Sequence, residues 1–174
     1  RSVLLSTPAL TPGASYTLAV SGVRDRAVAA NQIASGSQVN FVASQFAVTN
    51  IGAFAAGSAI ATNGGYDISA SGSDIGGVSD SFGFHARVYV GDFDVQTRVE
   101  ALDLSDGYSE AGLMARPQGA TNAAFAAVLS SPSLAGVKFQ SRATTGAQAA
   151  NAGFMPVNHP YTWLRLQRVG DAFT

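Results

Sequence analysis

A chain of 174 residues with a formal net charge of -1 and only 12% charged residues has no electrostatic basis for binding nucleic acid or an anionic membrane surface. It contains no cysteine, which excludes a disulfide framework, thiolate catalysis and a cysteine-ligated zinc site. No apolar run reaches the roughly 18–20 residues of a membrane-spanning helix, so no membrane insertion is expected within this segment. One lysine, Lys138, stands against nine arginines, and Gly, Ala, Ser and Thr dominate. That balance suits flat sheet surfaces joined by tight turns and fits an exported protein, extracellular or at the cell surface.

The first 44 residues are punctuated as short strands. Pro8, Pro12 and Gly13 precede the alternating run Tyr16 to Val20, and a polar loop follows with Arg24-Asp25-Arg26 and Asn31-Gln32. Val39, Phe41 and Ala43 then alternate as a closing strand. One hairpin of this size cannot bury enough apolar area to fold alone, so it is expected to complete a larger β domain. The run LTPGASYTLAVSGVRD from Leu10, followed by Val39-Asn40-Phe41-Val42, resembles the last strands of bacterial Ig-like domains, which commonly read L-x-P-G-x-x-Y-x-L-x-V-x-G-V-x-D and end on V-x-F. The resemblance implies an Ig-like β-sandwich that began before Arg1, with Tyr16 as a tyrosine corner whose hydroxyl bonds back to backbone. The family's usual Asp-x-x-Gly-Asn turn is altered here to Asp25-Arg26-Ala27-Val28-Ala29.

Residues 45–52 read as a short junction without a Pro- or Gly-rich linker, which divides the chain into domains at 1–44 and 45–174. From there the pattern is all-β. Strands are expected at 57–61, 65–70, 81–89, 93–102, 110–116, 123–129, 137–142 and 161–168, with Asn63-Gly64-Gly65 as a hairpin turn. Gly/Ser loops lie at 71–79 and 130–136, and another strand is expected to begin at Asp171. No segment sustains a 3.6-residue period, and short strands at regular spacing predict a sandwich or jelly roll. Within 91–117, Phe93, Val95, Thr97 and Val99 alternate with polar residues, and Ala111, Leu113 and Ala115 alternate with Gly112, Met114 and Arg116. The turn formers of 103–108 between them predict a hairpin.

Five segments in order resemble the concanavalin A-like jelly-roll family of the "regulation of enolase" type, found in secreted bacterial multidomain proteins. They are SGSDIGGVSDSFGF from Ser71, GDFDVQTRV from Gly91, EAGLMAR from Glu110, FQSR from Phe139 and WLRLQR from Trp163. Family members read G-x-D-I-W-G-x-x-D-x-F, G-D-x-x-x-x-A-R-V, K-A-G-L-M-x-R, x-Y-R and W-L-R-L-x-R. The resemblance covers about 51–174 and implies a jelly roll; the strand expected to begin at Asp171, just before the chain ends, makes a C-terminal truncation the expectation. The family's Trp is Gly76 here and its Lys is Glu110, which separates fold from ligand contacts.

Candidate chemistry is sparse. The only two glutamates are Glu100 and Glu110. A jelly-roll glycosidase uses closely spaced Glu and Asp on one strand face; Glu100 and Asp103 are three apart and point to opposite faces of a strand, and Asp92 and Asp94 share a face but sit at a strand start. His85 and His159 belong to no triad or metal spacing; no enzyme is expected. Asp74 and Asp80 bracket a Gly-rich loop, where carboxylates either hold a structural calcium or cap turns; no other cofactor is expected. Arg116, Gln140 and Arg142 alternate opposite apolar residues. They read either as a polar ladder on a wet face or as hydrogen-bonding groups for a glycan, with Trp163 and Tyr108 as aromatic platforms; the other reading of Trp163 is a core residue. The expected role is a non-catalytic binding or adhesion module with a glycan or cell-surface ligand. The alternatives are self-association into a surface layer or filament, and an accessory domain of a secreted glycosidase.

Overall fold

In a computed structural model, residues 7–8, 10–53, 57–62, 64–132 and 136–174 are described. Parts of the expected loops, including Asn63 in the predicted turn and 133–135, lie outside them. No described residue is helical; the chain is all-β, in several antiparallel sheets.

Two compact units are present, Arg1–Ala47 and Val48–Thr174. The first is built on β1 (Ser15–Val20) and β2 (Ser37–Val42), which pair antiparallel with Tyr16 opposite Phe41 and Leu18 opposite Val39. The Tyr16 and Phe41 rings stack at 5.9 Å, and the Tyr16 hydroxyl accepts a hydrogen bond from the Thr11 backbone N–H at 2.9 Å. Between the strands, Asp25 organises the loop. Its carboxylate accepts from the N–H groups of Ala27 and Asn31 and from the Asn31 side-chain amide, so Asp25 holds a turn without the glycine of the resembling pattern.

In the second unit, β3 (Ala47–Ile51) pairs with β6 (Phe82–Ala86), and β4 (Ser58–Thr62) pairs with β5 (Gly65–Ser69). A four-stranded sheet runs in the order β11 (Ala150–Met155), β10 (Val137–Arg142), β9 (Phe125–Ser130), β8 (Ala111–Ala115). A three-stranded sheet runs β13 (Ala172–Phe173), β12 (Thr162–Val169), β7 (Phe93–Val99). Strand β12 lies across β9 and β8, and these two sheets form a sandwich. Its core takes Leu164 and Leu166 from β12 against β9, a strand buried along most of its length. Gly112 in β8 is required by close approach: a Cβ there would run into the Val128 carbonyl and stand 3.0 Å from Leu129 Cα.

The predicted 91–117 hairpin is not one. β7 pairs with β12 and β8 with β9, so the connection carries the chain from one sheet to the other. Alternation places residues on faces but does not name a strand's partner. Strands β3 and β11 formed where none was expected. β11 is a small-residue segment, Ala-Asn-Ala-Gly-Phe-Met, whose strand conformation comes from pairing with β10 through a register shift at Lys138/Phe139.

Candidate functional site

Each sheet of the sandwich has an outer face, and the two differ. On the four-stranded sheet, alternation and register put Phe125, Ala127 and Leu129 of β9 on the same face as Gln140 and Arg142 of β10 and Met114 of β8. That face is closed by the Gly/Ser loop that precedes β6. Ile75 packs with Met114 and Ala149 on the Phe125–Ala127–Leu129 cluster, and Asp80, 2% exposed, enters the same layer.

Arg142 is 0% exposed. Its guanidinium donates to both Asp80 oxygens at 2.8 and 2.7 Å, and Nη2 donates to the Gly76 carbonyl at 2.8 Å. Nη1 donates to the Ala123 carbonyl and Nε to the Ala147 carbonyl. Arg116 Nη1 reaches the same Asp80 at 3.2 Å, while its other nitrogens donate to the carbonyls of Gln118 and Ala120. Burial lowers the Arg116 pKa, and the Asp80 carboxylate opposes that effect. Asp80 also accepts from the Gly76 N–H at 3.1 Å. These bonds tie the loop, the 120–123 turn and the 147 segment to one charge cluster.

This geometry corrects the expected wet face. Arg116, Gln140 and Arg142 do come together, but beneath a loop; Gln140 is 5% exposed. Bidentate pairing and carbonyl acceptors use the guanidinium donors that a ligand would need. Asp80 is likewise engaged with two arginines where a calcium ion was considered, and Asp74 forms a bridge with Ser81. Among the described residues no group of three or more His, Cys, Asp or Glu could hold a metal. The two departures from the family pattern have local partners: Glu110 forms an ion pair with Lys138, and Gly76 sits at φ 154°, where a side chain is strained and a Cβ would lie 3.2 Å from Gln140 Nε2. Burial raises the Glu110 pKa; Lys138 opposes this, and the Asp74 charge adds to it.

The outer face of β7 and β12 is open. Trp163, 64% exposed, pairs directly with Arg98, whose guanidinium lies 5.7 Å from the ring centroid. The next rows are Arg165 opposite Gln96 and Gln167 opposite Asp94. Arg165 Nε donates to Asp94 at 2.8 Å and Nη2 to its second oxygen, and Arg98 pairs with Glu100. The bond from Arg165 holds the Asp94 carboxyl below its ordinary value, and Asp94 raises Arg165. Trp163 is therefore not a core residue. Tyr108, 70% exposed, lies in the 103–109 turn, its N–H bonded to Asp106, and Tyr161 stands exposed just before β12. Sequence reasoning missed Gln96, Arg98 and Arg165. Their signal was two strands in matching alternation, 94/96/98/100 and 163/165/167, which only the β7–β12 register joins.

Compared with known protein families, curated proteins and solved structures, the chain matches none. The fold and site therefore define it as a two-unit all-β protein whose second unit presents an open aromatic and polar sheet face.

Proposed function

We propose that this chain is a non-catalytic extracellular binding or adhesion module of a multidomain bacterial surface protein, and that the Trp163 face is its glycan platform. The observation that carries the reading is an exposed indole set among planar hydrogen-bonding groups on one sheet face. Sugars are bound by stacking their C–H faces on aromatic rings while fixed polar groups read the hydroxyls. The carboxylates of this face are held by arginines, which supports binding rather than acid–base work. An Ig-like first unit is supported by the Tyr16–Thr11 bond, the contact that a tyrosine corner makes. A concanavalin A-like second unit is supported by two sheets packed face to face. A glycan array, repeated with Trp163→Ala, tests the platform: binding weakened by about tenfold or more is expected, and no binding to any glycan would sink the reading.

The self-association reading has an observation of its own. Edge strand β11 is exposed throughout, with Phe154 and Met155 more than half exposed, and no charged residue occurs from Ala143 to Asn158. Uncharged edges are templates for strand addition. Ordered filaments by electron microscopy, abolished by Ala152→Lys, are expected on this reading; a strictly monomeric particle at high concentration removes it.

A further inference from the structure

The charge on the β7–β12 face is cancelled residue by residue, and we infer from this that its ligand is a neutral glycan. The class taken is pyranose chains without carboxylate or sulfate groups. The inference rests on the platform reading above. Around Trp163, across rows 94–100 and 163–167, the face carries two arginines and two carboxylates, and each arginine is already engaged; Asp92, one row beyond Asp94, accepts a hydrogen bond from the Gly170 N–H. Arg165 meets Asp94 through two nitrogens and both oxygens, and Arg98 is paired with Glu100 and set over the indole. A uronate or sulfate group needs the same guanidinium fork. It would have to displace Asp94 and then sit beside a second negative charge.

A sugar hydroxyl has no such conflict. It donates to a carboxylate oxygen that keeps unused lone pairs and accepts from an amide or a guanidinium N–H. The uncharged amides of Gln96 and Gln167 share this face and both donate and accept. Successive rows on one face of a strand are about 7 Å apart, so a ring stacked on Trp163 has the Gln96–Arg165 row within reach of its hydroxyls. The Arg165–Asp94 pair holds its charges on mild acidification, since its bond to Arg165 keeps Asp94 below its ordinary value.

Binding of neutral oligosaccharides, uronate oligosaccharides and sulfated oligosaccharides to the whole chain, at low and high salt, tests this. Expected are binding of a neutral chain alone, a salt response under about twofold because no net charge is neutralised, and a loss of about tenfold or more in Trp163→Ala. Asp94→Asn frees the Arg165 fork and is expected to create salt-sensitive uronate binding that wild type lacks. Trp163-dependent, salt-sensitive binding of acidic chains by wild type would overturn the neutral assignment and leave the platform standing. Trp163-independent binding, or none, would overturn both. Thermal melts of both variants, with substitutions at exposed positions, separate lost binding from lost fold.

Discussion

The two outer faces of the sandwich use the same chemistry, a strand arginine against an aspartate, to opposite ends. On the β8–β10 face, Arg142 and Asp80 are dehydrated, and the loop over them supplies carbonyls for the donors that the carboxylate leaves over. On the β7–β12 face, Arg165 and Asp94 meet in solvent beside an exposed indole. A buried pair is costly to break because one partner's removal strands the other charge away from water. An exposed pair contributes little to stability and leaves the surface free for a ligand. What separates a structural clamp from a binding field here is whether a loop closes over it.

Substitutions can break this comparison, beginning with the largest effect. Arg142→Ala should destabilise the second unit by about 3–5 kcal/mol, read by chemical denaturation, and should release the loop over β9, read as faster amide hydrogen exchange at Gly76. Arg142→Lys should recover only part, because an ammonium cannot span both Asp80 oxygens and the surrounding carbonyls. Wild-type stability in Arg142→Ala would show that the cluster is not a clamp. Trp163→Ala should act the other way: glycan binding falls by about tenfold or more, while the denaturation midpoint stays within about 0.5 kcal/mol of wild type. A large loss of stability would place the indole in a core contact instead.

A smaller effect lies in the pH profile. Burial raises the Glu110 pKa above its ordinary value of 4.5, so the folded state holds that proton more tightly than the unfolded one. This contribution to stability is greatest below the ordinary value and declines as pH rises through the raised folded value. Glu110→Gln should flatten that decline in a series of melts from acid to neutral pH; an unchanged slope would count against a buried carboxyl beside Lys138. Asp94 has the opposite sign, since its folded value is depressed and its contribution is lost only as pH falls through that value. That contribution is present at neutral pH but small, because the Arg165–Asp94 pair is exposed to solvent, so Asp94→Asn should leave the neutral-pH melt almost unchanged, the smallest effect of the set. A clear drop would mean that the open face is also a clamp.

Much of the fold was legible in the chain. Short alternating runs with Gly, Asn and Asp between them exclude helices and predict strands, and Val137–Arg142 falls where the alternation puts it. The two faces of β7, β10 and β12 also follow from alternation, because a strand's side-chain period is two whatever surrounds it. Local patterns do not carry partner choice or cover. The 93–99 and 111–115 strands look like a hairpin because they are consecutive, yet their partners lie about 70 and 15 residues away. Strand β11 has little intrinsic preference for a strand and exists because β10 offers it a ladder. Above all, alternation does not tell Arg142 and Arg165 apart: each falls at an alternate position of a strand, and each stands near a carboxylate only after folding. Tertiary structure decided between them by laying the Ser71–Asp80 loop over one sheet and leaving the other bare, which turned one arginine into a buried tie and the other into part of an open surface.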